Sequence, residues 1–161
     1  MKSIELDNIG QHISKEEILE YQNNNNIILP KDYESFILKN NGGRLIKVNT
    51  FPMAESIIEK YAFEGIDCFL SFNEKTYYKS IDSYLKTYIS RLPNDLFPIG
   101  YGPCGDLICL CIHGKNYGKV YFWDHEREAE EGREPTYDNV YLVANSFTDF
   151  INSLYEFKMP E

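Results

Sequence analysis

Four cysteines and three histidines are the first residues to ask about chemistry. Cys104, Cys109, Cys111 and His113 carry the thiol and imidazole groups that suit zinc, but their gaps do not match the paired two-to-four-residue knuckles of structural zinc sites. Cys109 and Cys111 instead alternate with Ile108, Leu110 and Ile112, as the residues of a strand would, so both point the same way. Core packing accounts for them. Asp124-His125-Glu126 places an imidazole between two carboxylates, and Cys104 with Asp124 and His125 would be the parts of a small hydrolase if the three converged. No spacing supports that convergence, and an exposed strand end entering a charged loop is the simpler account. Gly100 to Gly105 is rich in glycine but lacks the following Lys-Ser/Thr of a phosphate loop, so it reads as a turn between strands. The sequence therefore predicts no enzyme, no metal and no cofactor.

Charge says more. The chain has 161 residues, with 16 Lys plus Arg against 25 Asp plus Glu and a formal charge of -9. Such a balance argues against nucleic acid as the direct ligand, because phosphate affinity comes from neutralising cations. Residues 124–138 hold Asp124, Glu126, Glu128, Glu130, Glu131, Glu134 and Asp138 against Arg127 and Arg133, a net of -5. Carboxylates are seldom buried unpaired, so this stretch should be solvated. An anionic surface of this kind speeds the approach of a basic partner and loses that advantage as salt is added. Tyr121 and Trp123 just before the run and Tyr137 near its end could anchor an interface, where amphipathic rings often dominate binding. Strand alternation puts Tyr121 and Trp123 on one face and Phe122 on the other. The expected binding surface is thus Tyr121, Trp123, Asp124, Glu126, Glu128, Glu130, Glu131, Glu134 and Tyr137.

The elements that would position these residues follow from period and punctuation. Ser14 and Glu17 have capping-box spacing and open a helix over about 15–23. Pro30 suits the first position of a second helix, with Tyr33, Phe36 and Ile37 on one face and Gly42-Gly43 as its stop. Those glycines let the chain turn through positive φ into a strand over 44–51. Residues 53–63 read as a strand, and Ile66 to Phe72 as a clearer one. Ser80 then caps a helix through Tyr84, Tyr88 and Leu92 that Pro93 closes. Strands over 96–100, 107–113 and 119–124 form a meander, the acidic run intervenes, and a strand over 140–144 precedes a helix capped by Ser146. The order predicts an α+β fold, with a mainly antiparallel sheet of about five to six strands and helices packed beside it, as a single domain over 1–161. The longest strongly apolar run, Leu107 to Ile112, is far below the roughly 18 residues of a membrane span. The start of the chain lacks the apolar core of a secretory signal, so a soluble cytoplasmic protein is expected.

Several of these landmarks fall in a recognisable order. Leu29-Pro30-Lys31-Asp32-Tyr33 to Phe36 with Asn41-Gly42-Gly43 resembles the N-terminal signature of the SUKH superfamily. Pro98-Ile99-Gly100, Gly105 to Leu110 and Gly118 to Glu126 look like its central strands, and Val143 to Phe147 with Phe150 and Leu154 like its closing strand and helix. The resemblance spans about residues 14–155. It implies an α+β fold and, for bacterial members, an immunity protein that neutralises a cognate secreted toxin, often a nuclease or deaminase, by occluding its active site. The yeast cell-wall-assembly regulator in the same group implies an alternative, a regulatory protein-binding module with no toxin partner. No catalytic residues come with the resemblance. It also implies small residues such as glycine where Pro103-Cys104 stand, and a variable region where 124–138 lies.

Overall fold

The structure is a computed structural model that describes residues 1–53 and 63–158. The strand expected over 53–63 falls almost wholly outside the described residues.

Three serines set the starts of helices. Ser14 accepts the Glu17 N–H at 3.2 Å while Glu17 accepts the Ser14 N–H at 2.8 Å, and this reciprocal cap opens α1 (Lys15–Asn25). Ser80 caps α3 (Ile81–Tyr88), and Ser146 caps α4 (Phe147–Ser153). In α2 (Lys31–Asn40), Pro30 is the residue before the helix rather than its first turn, because its own ψ of 139° is extended. The helix ends as the sequence predicts. Asn41 and Gly42 have φ of 45° and 79°, and a Cβ at Gly42 would lie 2.6 Å from the Leu70 carbonyl oxygen, so only glycine fits there.

Seven strands form one sheet in the order β1-β2-β5-β6-β7-β8-β9, every described pairing being antiparallel. They are β1 (Leu6–Asp7), β2 (Gly43–Leu45), β5 (Cys68–Phe69), β6 (Leu96–Tyr101), β7 (Leu107–Cys111), β8 (Val120–Trp123) and β9 (Val140–Ala144). A separate pair joins β3 (Thr50–Pro52) to β4 (Phe63–Gly65). The expected α+β class holds, with more strands than the sequence suggested. The strand anticipated over 44–51 is two strands, since Thr50 leaves the large sheet to exchange both backbone hydrogen bonds with Tyr155, at 3.1 and 2.8 Å.

Both faces of the sheet centre are covered, which is why β7 is apolar without interruption. Ile108, Leu110 and Ile112 face a core shared with Tyr33, Phe36 and Ile37 of α2 and Phe147, Phe150 and Ile151 of α4. Leu107, Cys109 and Cys111 face the other way, into a smaller cluster with Leu92, Leu96 and Trp123. That second cluster lies under the end of α3 and beside the acidic run.

Candidate protein-binding surface

Residues 124–139 form a loop closed at its base. Asp124 donates its N–H to the Asn139 carbonyl at 2.9 Å, and the Asn139 side-chain amide donates to the Asp124 carbonyl at 2.8 Å. Within the loop, the Asp124 carboxylate accepts the Glu126 N–H at 2.9 Å and caps a short 3-10 turn, His125–Arg127. Asp124 is 8% exposed, with Arg127 3.7 Å away. It is a structural cap rather than an outward charge.

Two side-chain contacts hold this loop against the corner between α3 and β6. Arg91 grips Glu128 through two hydrogen bonds, at 2.8 and 2.7 Å. The same guanidinium lies 4.4 Å over the Tyr88 ring and 5.8 Å from the Trp123 ring. Such a planar ion can stack and bond in two directions at once, which an ammonium cannot do. At the far end of the loop the Tyr137 hydroxyl donates to Asp95, and partial burial, aided by that contact, pushes its phenol well above the ordinary value of 10.0. Asp95 also accepts the Cys111 thiol at 3.5 Å.

Around these anchors the loop exposes most of its carboxylates. Glu126, Glu130, Glu131 and Glu134 are exposed, and Glu130 pairs with Arg133 at 3.1 Å. Glu128 is half-buried in the Arg91 contact, so it holds the loop in place instead of acting as an unpaired charge. Tyr137 is 48% exposed and Tyr121 partly so. Trp123 differs from expectation: it is fully buried, edge-on to Tyr88 at 5.5 Å, and cannot touch a partner. Alternation placed it correctly on the Tyr121 face, but that face is itself roofed over.

Sequence reasoning missed Arg91, Asp95 and Ile89. The first two are 37 and 42 residues from their partners, and no local pattern joins them. Ile89 belongs to the apolar period of the helix that precedes Pro93, which gives no sign that it is 78% exposed. It lies with Leu85, Tyr88, Leu92 and Leu96 along a groove of about 350 Å³.

The chemistry proposed for Cys104, His125 and Asp124 finds no hydrogen-bonded chain among the described residues. Cys104 is exposed with φ of 63°, in the left-handed region that favours glycine. It shares a cleft of about 150 Å³ with Glu64, Asp106, Asp124 and Glu126. Burial raises the Glu64 and Asp106 carboxyls above their ordinary values, with the Asp124 charge adding to both. His125 Nδ1 is buried without a hydrogen-bond partner, while the His125 backbone N–H donates to Asp106 at 3.0 Å. Among the described residues no group of three or more His, Cys, Asp or Glu is placed to hold a metal ion. Cys109 is fully buried, and burial lifts its thiol far above the ordinary range.

A family model described as the SMI1 / KNR4 family (SUKH-1) matches residues 12–153. The chain belongs to that family. It is similar to the SPbeta prophage-derived uncharacterized protein YokK of Bacillus subtilis strain 168, being 29% identical over 151 residues that cover 88% of this chain and 74% of that protein. No solved structure matches. No helix among the described residues of this SUKH-1 chain is long and apolar enough to cross a membrane.

Proposed function

We propose that this SUKH-1 protein is an immunity protein that acts as a single domain in the cytoplasm. In this reading it binds a cognate polymorphic toxin of basic surface, a nuclease or related domain, and occludes the active site without changing it covalently. The observation that carries the reading is the acidic loop: its carboxylates project outward from a backbone tied down at both ends, so they form a fixed field rather than a mobile tail. Membership of the family and the prophage origin named for a relative support it. Glu126, Glu130, Glu131 and Glu134 steer the approach, and Tyr121 and Tyr137 supply ring surface within a patch of roughly 800 Å² per partner. Asp124, Glu128 and Trp123 shape that surface from beneath.

The test is co-expression with the product of the adjacent gene, scoring growth and recovery of a complex. Protection of growth by the wild-type chain supports the reading. Triple reversal at Glu130, Glu131 and Glu134 to Lys should slow association at low salt by about tenfold or more and flatten its salt dependence. A harmless neighbour with no complex overturns the immunity reading, and an unchanged rate after charge reversal overturns the steering.

A further inference from the structure

The groove at the end of α3 is bordered by Lys86 and Asn94 but otherwise lined by apolar atoms. Ile89, at 78%, is the most exposed large apolar side chain among the described residues. The turn that carries Ile89 to Leu92 is a wall common to two concavities. On one side is the apolar groove, and on the other a hollow of about 400 Å³ lined by Ser90, Arg91 and residues 128–133 of the acidic loop. An apolar depression with an anionic rim on one side has the make-up of an interface core and its polar border. Tyr88 is held between Arg91 at 4.4 Å and Tyr84 stacked at 5.8 Å, so this wall is rigid before any partner arrives.

We propose that this groove is the apolar half of the partner interface and receives an apolar side chain from a polypeptide segment flanked by lysine or arginine. The proposal rests on the protein-binding reading above and names the partner's chemistry. Charge complementarity selects this occupant. A second copy of the chain would bring a like-charged loop against Glu130 and Glu131 across a self-complementary contact, which repels. A cationic segment meets those carboxylates favourably while its apolar residue covers Ile89. Arg91 is a positioning residue here: it holds Glu128, and with it the rim, beside the groove.

The experiment follows backbone amide shifts of the full chain during titration with a synthetic peptide of about twelve residues, a leucine-tryptophan centre flanked by lysines. Shifts should concentrate on residues 85–96 and 128–137. Ile89→Asp should weaken binding by about tenfold or more, although it adds a negative charge, and Ile89→Gln should weaken it in the same direction. Ile89 is exposed enough that both variants keep the fold. The idea is overturned if a lysine-only peptide of equal charge binds as tightly, if Ile89→Asp binds equally well or better, or if sedimentation shows a dimer that Ile89→Asp dissociates. The two readings fail separately. Growth protection that survives Ile89→Asp but not charge reversal removes the groove and keeps immunity, whereas a harmless neighbour with unchanged peptide mapping removes immunity and keeps the groove.

Discussion

Asp106 accepts the His125 N–H at 3.0 Å, joining the turn between β6 and β7 to the base of the acidic loop. Burial raises its carboxyl above the ordinary 3.8; the His125 N–H opposes that shift, and the Asp124 and Glu126 charges add to it. A carboxyl raised on folding stabilises the fold most when protonated, and that contribution is lost as pH climbs through the raised value. Asp106→Asn retains an acceptor and removes the charge. It should therefore be more stable than wild type near about pH 7, with the gap closing toward about pH 4. Asp106→Ala leaves the His125 N–H without its acceptor and should cost about 1–3 kcal/mol. Urea unfolding at the two pH values checks both, and an Asn variant weaker than wild type at neutral pH would show that the charge itself is needed. The role of Asp106 was only half legible. A turn-holding aspartate after glycine was readable, but the amide it accepts belongs to a loop 19 residues away.

Arg91 shows why elements were easier to read than their joints. Caps at Ser14 and Ser146 and the bounds of β9 followed from local pattern, because a side-chain oxygen and the N–H it accepts are three residues apart. The end of α3 did not follow. The sequence carries the helical period to Leu92, yet Arg91 and Leu92 both donate to the Tyr88 carbonyl, at 2.9 and 3.1 Å, and the last turn tightens out of the helix. At this helix end Ile89 is exposed, Leu92 is buried and the Arg91 guanidinium reaches Glu128. The acidic run itself was plain in the sequence, whereas its attachment depended on this corner. Arg91→Lys keeps the charge but loses the two-pronged grip and the stacking. Amide hydrogen exchange across 126–134 should accelerate in Arg91→Lys and further in Arg91→Ala, with a stability loss of about 1–2 kcal/mol for Ala. Unchanged exchange in both would mean that the Asp124–Asn139 hydrogen bonds and the Tyr137–Asp95 contact hold the loop without Arg91.

The whole molecule carries -9, and over half of that charge stands on one loop. Two effects of salt then compete. Screening weakens ion pairs, which lowers stability, and it also relieves repulsion among the surplus carboxylates, which raises it. The ion pairs are the weaker side. Lys47 with Glu5 and Arg133 with Glu130 are largely exposed on both partners, and such contacts contribute about 0–1 kcal/mol each. The half-buried Arg91–Glu128 contact is screened least. Repulsion should therefore win: the melting temperature rises by a few degrees as NaCl increases from about 10 mM to about 200 mM, over which the screening length contracts from about 30 Å to under 10 Å. Partner association, driven by the same carboxylates, should slow over that range. One titration thus separates two duties of one charge cluster, since salt helps the fold and hinders the encounter. Glu131→Gln with Glu134→Gln should shrink both responses together, because neither residue pairs with a cation among the described residues. A melting temperature that falls with salt would show that attraction, not surplus charge, governs this surface.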